Sequence, residues 1–118
     1  MTKVRRALGD WGERLAAAHL AAAGMVLLDR NWRTAAGEID IVARDGDAVV
    51  FCEVKTRRGT TFGDGSEGVT EAKTRRLRQL ATQWLATSGI RARCVRFDVV
   101  SVMVGGSAPV ISHIRDAF

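Results

Sequence analysis

Hydrophobic and polar positions change their period several times along the chain. Residues 10–23 (DWGERLAAAHLAAA) are alanine-rich and read as a helix. Asp10 is its N-cap candidate, Glu13 follows three positions later as in a capping box, and Gly24 is the C-cap candidate. Met25 to Leu28 is a short apolar run, a strand leading into Asp29-Arg30-Asn31-Trp32-Arg33. Glu38 to Arg44 and Asp47 to Thr56 are β-rich and meet at Asp45-Gly46, a two-residue turn signal, so they predict a hairpin. Residues 57–68 hold four glycines and read as a mobile loop. A second helix is expected from Val69 to Thr87, with Leu77, Leu80, Ala81, Trp84 and Leu85 as its apolar stripe and Ser88-Gly89 as its end. Arg96 to Val104 and Val110 to Ile114 read as strands on either side of Gly105-Gly106. The order α-β-β-β-α-β-β predicts an α/β sandwich, a central mixed sheet flanked by helices.

At 118 residues the chain fits one domain with its own core. An apolar fraction of 47% and a charged fraction of 26% exclude wholesale disorder. No apolar run reaches the roughly 20 residues that a bilayer span needs. The basic start, Met1 to Arg6, is not followed by the apolar core of a signal peptide, so a cytoplasmic protein without membrane contact is expected. Cys52 and Cys94 lie among apolar residues without metal-ligand spacing, and both read as reduced core residues. His19 and His113 are the only histidines, too few for a His-rich zinc site. No Gly-x-Ser-x-Gly elbow supports a serine nucleophile.

Charge changes the picture. Eighteen Lys and Arg, mostly arginine, stand against thirteen Asp and Glu, a net +5 with a pI near 10.2. Residues 1–33 carry six basic and three acidic side chains, whereas 34–57 carry three basic and five acidic. An acidic centre in a basic chain suits a metal-dependent enzyme acting on a polyanion, although a solvated basic surface has the same composition. Lys73, Arg75, Arg76 and Arg78 crowd the start of the second helix, where cations oppose the macrodipole and a phosphate partner would offset them. Trp11, Trp32 and Trp84 read as core rather than as base-stacking platforms.

The hairpin carries the candidate chemistry. With Asp45-Gly46 as the central turn residues, Asp40 and Glu53 become diagonal neighbours on one face, roughly 5–8 Å apart. Moving the turn to Gly46-Asp47 places them directly opposite, and the shared face survives either choice. Lys55 follows on that face, about 7 Å along the strand. Ile39, Ile41, Val50, Cys52 and Val54 alternate to the other side as core. Two adjacent carboxylates repel unless a proton or cation intervenes, which suits a hard divalent ion such as Mg²⁺. Lys55 would then act on water or on transition-state charge. A solvent-facing Glu53–Lys55 strand pair is the plain alternative.

Gly37-Glu38-Ile39-Asp40-Ile41-Val42 followed by Val50-Phe51-Cys52-Glu53-Val54-Lys55-Thr56-Arg57 resembles the YraN (UPF0102) family. The likeness continues at Gly12-Glu13, Arg30-Asn31-Trp32-Arg33, Phe62-Gly63, Lys73, Leu77 and Arg96 to Val100, covering about residues 8–102. Cys52 departs from the usual aliphatic residue, and His19 from a common aromatic. The resemblance implies a restriction-endonuclease-like, PD-(D/E)xK fold related to Holliday-junction resolvases. It implies Asp40 and Glu53 as ligands of Mg²⁺ or Mn²⁺, the Val54 carbonyl as a third, and Lys55 as the catalytic lysine. Glu13 matches a first-helix acid that completes such sites, and its capping-box reading stays open. Glu38 is a nearby acid or a partner for Arg57. Arg57 and Lys73 are expected at phosphates, with Arg75, Arg76 and Arg78 along a nucleic-acid backbone. A homodimer follows only by analogy with resolvases. The expected function is Mg²⁺-dependent hydrolysis of DNA, structured or branched DNA in particular. The rivals are a non-catalytic nucleic-acid-binding module of the same fold and a basic surface for an acidic protein.

Overall fold

The computed structural model describes residues 3–59 and 70–118, with the side chains of residues 3–5 left aside. The elements run α1 (Lys3–Ala22), β1 (Val26–Thr34), β2 (Gly37–Asp45), β3 (Ala48–Arg58), α2 (Glu71–Ser88), β4 (Cys94–Val104) and β5 (Val110–Ile114). This is the expected order of elements. The strands form one five-stranded sheet in the order β1-β2-β3-β4-β5. All neighbours are antiparallel except β3 and β4, which are parallel. Parallel neighbours need a crossover, and α2 lies in that connection. The protein is therefore an α/β fold with a mixed sheet between two described helices.

Alternation along β3 assigns the faces. Val50 and Cys52 pack with Ala16, Leu20, Ile41 and Val100 under α1. Val49 and Phe51 pack with Val42, Leu77, Leu80, Trp84 and Phe97 under α2. Phe51 centres the second layer, edge-on to Trp84 at 5.8 Å and stacked on Phe97 at 5.7 Å. The Trp84 indole N–H donates to Asp29 Oδ2 at 2.9 Å, so this tryptophan is core with a satisfied polar handle.

Several boundaries differ from the sequence reading. Helix α1 begins at Lys3, so Asp10 and Glu13 lie inside it and the capping box is excluded. Lys, Arg, Ala and Leu at positions 3–8 are good helix formers, which favours its extension beyond the expected start. Its end follows the expectation: Gly24 adopts φ 95°, with Gly24 N–H donating to Ala21 O at 3.0 Å and Met25 N–H to Leu20 O at 3.0 Å, a Schellman motif. Strand β1 runs on through the polar stretch to Thr34, with a bulge between Leu27 and Asp29 and Asn31 at φ 51°. The polar residues fit because β1 is a sheet edge.

The hairpin pairs Asp45 with Ala48, so the turn is Gly46-Asp47 rather than Asp45-Gly46. Gly46 supplies the positive φ, 59°, at the first turn position, as a II′ turn requires. Helix α2 is capped by Thr70, whose side chain accepts from Lys73 N–H, and closes on Gly89 at φ 71°. Cys52 is buried as expected, but Cys94 opens β4 exposed to solvent. Arg57 and Arg58 belong to β3; the rest of the expected 57–68 loop, with Phe62-Gly63, falls largely outside the described residues. Among the described residues, no helix is long and apolar enough to cross a membrane.

Candidate functional site

The site lies where β2 and β3 part. Their regular pairing stops at Ile41 opposite Cys52, one step short of Asp40 and Glu53. Beyond that point Asp40 Oδ2 accepts the Val54 N–H at 2.8 Å, taking the place of a backbone carbonyl of β2. N–H and C=O of one antiparallel residue point toward the same neighbouring strand, so the Val54 carbonyl faces this gap too. Strict alternation also ends here, and Ile39 packs with the α2 layer instead of under α1 with Ile41. Gly37 starts β2 at φ 147° beneath α2, where a Cβ would touch Leu80 Cδ1 at 3.4 Å and Arg76 Cδ at 3.5 Å.

The parted strands and α2 enclose an open cleft of about 230 Å³. Glu38, Asp40 and Glu53 line it from the hairpin, Lys73 and Arg76 from α2, and Leu77 and Leu80 form its apolar part. Lys73 Nζ lies 2.6 Å from Glu53 Oε1. Glu38 is exposed and pairs with Arg33 at 2.8 Å.

Electrostatics single out Asp40. Burial drives its carboxyl up to about 7, and Glu53, Glu13 and Glu38 push the same way against the Val54 N–H. Glu13 is raised as well, by burial first and then by Glu38 and Asp10, with Arg30 and Arg33 opposing. Glu13 Oε1 is buried without a hydrogen-bond partner among the described residues. An orphaned carboxylate oxygen near two further acids, all hard oxygen donors, fits a divalent cation in chemistry. Asp40, Glu53 and the Val54 carbonyl are the residues that would hold it; Glu13 stands on α1, outside the lining of the cleft, and acts on Asp40 by charge. Among the described residues, however, no group of three or more His, Cys, Asp or Glu is close enough to hold an ion as it stands. Glu53 is turned to Lys73 instead.

The remaining residues divide. Lys55 and Arg57 are half-buried further along β3. Arg76 faces the cleft. Arg75 is exposed and reaches Glu71 at 3.7 Å, and Arg78 stacks 4.8 Å above the Phe97 ring, so part of its role is packing. The sequence reading placed Lys73 at a phosphate and missed its pairing with Glu53. It also passed over Asp98, which is fully buried in β4. Asp98 accepts from Arg96 Nε at 2.9 Å and Asp116 N–H at 3.0 Å, and lies 2.8 Å from His113 Nε2. Burial pushes this carboxyl up, but Arg96, Asp116 and His113 outweigh it and hold it below its ordinary value. A carboxylate two residues from an arginine inside a β-branched run was the available signal.

The profile described as "Uncharacterised protein family UPF0102" matches residues 12–102, which include every acid of the cleft. A UPF0102 protein of Rhodococcus jostii (strain RHA1) is 55% identical over 113 residues, 95% of this chain and 96% of the relative. One from Rhodococcus opacus (strain B4) is 54% identical over 113 residues, again 95% of this chain and 96% of the relative. A UPF0102 protein of Frankia casuarinae is 50% identical over 117 residues, 98% of this chain and 99% of the relative. Matches of this extent, through β2, β3 and α2 alike, make the chain a member of the UPF0102 family.

Proposed function

We propose that this chain is a Mg²⁺- or Mn²⁺-dependent nuclease of the restriction-endonuclease-like fold that hydrolyses phosphodiester bonds in DNA, preferentially structured or branched DNA. The observation that carries this reading is the cleft itself: Asp40 and Glu53 line it where β2 and β3 part, and Lys73 and Arg76 line it from α2, so acids and cations meet in one open cleft of about 230 Å³. A bound divalent ion supplies Lewis-acid polarisation of a phosphate oxygen and a lowered water pKa. Asp40, Glu53 and the Val54 carbonyl would hold it, and Glu13 would bring a further oxygen. Lys55, on the face of Glu53, takes a proton from the attacking water or offsets charge in the transition state. Arg76 orients the phosphate by paired N–H donors, and Arg57, Arg75 and Arg78 follow the backbone on either side. The test is a cleavage screen of single-stranded, duplex, flap and four-way-junction DNA with Mg²⁺ and Mn²⁺. Absence of divalent-dependent cleavage on every substrate would overturn the nuclease reading.

A second reading has its own observation. Both carboxylates already have partners inside the protein, Asp40 in Val54 N–H and Glu53 in Lys73. A module that binds DNA through its basic surface without cutting it would use the same fold with these acids as structural groups.

A further inference from the structure

Lys73 occupies a position where a cation is locally unfavourable. It is the third residue after the Thr70 N-cap, in the first turn of α2. Unpaired N–H groups give a helix start partial positive charge, which disfavours a further cation there. Its reward is Glu53: Nζ stands 2.6 Å from Oε1, with the lysine side chain 45% exposed and the glutamate side chain 17% exposed. The other acids of the cleft have other partners, Arg33 for Glu38 and Val54 N–H for Asp40. The lysine is therefore the cationic cover of the Glu53 carboxylate, held mainly by charge on a flexible, half-exposed stem.

We propose that Lys73 is a built-in counter-ion of Glu53, which covers the carboxylate in the cation-free protein, leaves it when a divalent cation binds, and turns the freed ammonium toward a phosphate in the same cleft. The inference rests on the metal-dependent reading of the site. An ammonium and a hard divalent ion seek the same oxygen, and a doubly charged ion interacts about twice as strongly at equal distance. Lys73 can exchange partners by rotating its own side chain, because its backbone N–H stays on Thr70. A lysine suits this better than an arginine, whose planar fork would hold the carboxylate through two bonds. Arg76, one turn on, lines the same cleft and offers a phosphate there a second cation.

The experiment compares Mn²⁺ affinity by calorimetry, without nucleic acid, for the full-length wild type, Lys73→Met, Lys73→Arg and Glu53→Gln. Removing the competitor should tighten Mn²⁺ binding in Lys73→Met by about two- to fivefold, the scale of a partly exposed ion pair. Lys73→Arg keeps the competing charge and should bind no tighter than wild type, while Glu53→Gln should bind more weakly. In the wild type, the NMR signal of the Lys73 ammonium, slowed in exchange by its ion pair, should be lost at saturating Mg²⁺. If wild type binds Mn²⁺, Glu53→Gln weakens it and Lys73→Met leaves it unchanged or weaker, the counter-ion role is overturned and the metal site stands. A Lys73 signal that persists through the Mg²⁺ titration overturns the role without any variant. Absence of Mn²⁺ binding in wild type and Lys73→Met alike overturns the metal site and the counter-ion together.

Discussion

Asp40 Oδ2 and the Val54 N–H, 2.8 Å apart, bring a side chain into the place of a ladder bond at the point where β2 leaves β3. The contact lies where the cleft begins and holds the carboxylate against β3. It also confines a negative charge among three other acids, with burial as the main force lifting the Asp40 carboxyl to about 7.

The sign of the resulting pH dependence follows. Between the ordinary carboxylate value, about 4, and about 7, folded Asp40 keeps a proton that the unfolded chain releases. Its contribution to stability is therefore largest at acid pH and is lost as pH rises through 7. Asp40→Asn cannot ionise, and its amide oxygen can still accept the Val54 N–H. In EDTA the variant should melt above wild type at pH 8, and the gap should close toward pH 5. Parallel melting curves at both pH values would show that the surroundings of Asp40 do not disfavour its ionised form.

Helix α1 yields a second prediction. Gly12 is interior to the helix, where alanine is ordinarily better by about 1 kcal/mol. A Cβ at Gly12, however, would overlap the Thr56 side chain of β3, both Oγ1 and Cβ. Gly12→Ala should destabilise by about 1–3 kcal/mol in denaturant titration, the cost of overpacking. Thr56→Gly in the same chain should recover part of the loss. A stabilised Gly12→Ala would mean that α1 and β3 are further apart than this contact.

Much of the scaffold is legible in the sequence because it follows local rules. The β-branched runs, the Leu77–Leu80–Trp84 spacing, the Gly89 stop and the shared face of Asp40 and Glu53 all depend on period and turn chemistry. Where two local solutions are equally good, sequence does not choose. Asp45-Gly46 and Gly46-Asp47 are both turn dipeptides, and the register rests on which one Gly46 opens. Length is hidden where exposure is tolerated, so polar Asp29 to Arg33 concealed an edge strand and Cys94 looked apolar enough for the core. The Lys73–Glu53 pair joins residues twenty positions apart across a crossover, and no local pattern announces it.

The basic residues of α2 should not contribute equally to DNA binding. Arg76 faces the cleft, Arg75 is exposed beside Glu71, and Arg78 rests on Phe97. Arg75→Gln and Arg76→Gln should each lower affinity and flatten the salt dependence by about one unit of slope, with little change in stability. Arg78→Gln should also lower the melting temperature, since it removes a contact worth about 0.5–1 kcal/mol. Binding measured from 50 to 300 mM salt checks this (about the range over which counterion release is read). Equal slopes in wild type and the Arg75 and Arg76 variants would move the DNA surface away from α2.

Lys55 and Glu53 separate a nuclease from a binding module, because the two readings assign them different work. Lys55 shares a face with Glu53 on β3, where it would act on the attacking water or on developing charge rather than on bound substrate. Lys55→Ala should then lower single-turnover cleavage by about 10²-fold or more, the scale of a general-base or electrostatic role. DNA affinity in Ca²⁺ should change little, because one lysine is a small part of a surface that binds by summed charge. Glu53→Gln should abolish turnover yet hold DNA as well as wild type or better, since it removes a negative charge facing phosphate and frees Lys73 from its partner. Wild-type rates in both variants would assign any cleavage to another site or to contamination. Tight, salt-sensitive binding by wild type and both variants, with no cleavage by any of them, would establish the binding module in place of the enzyme.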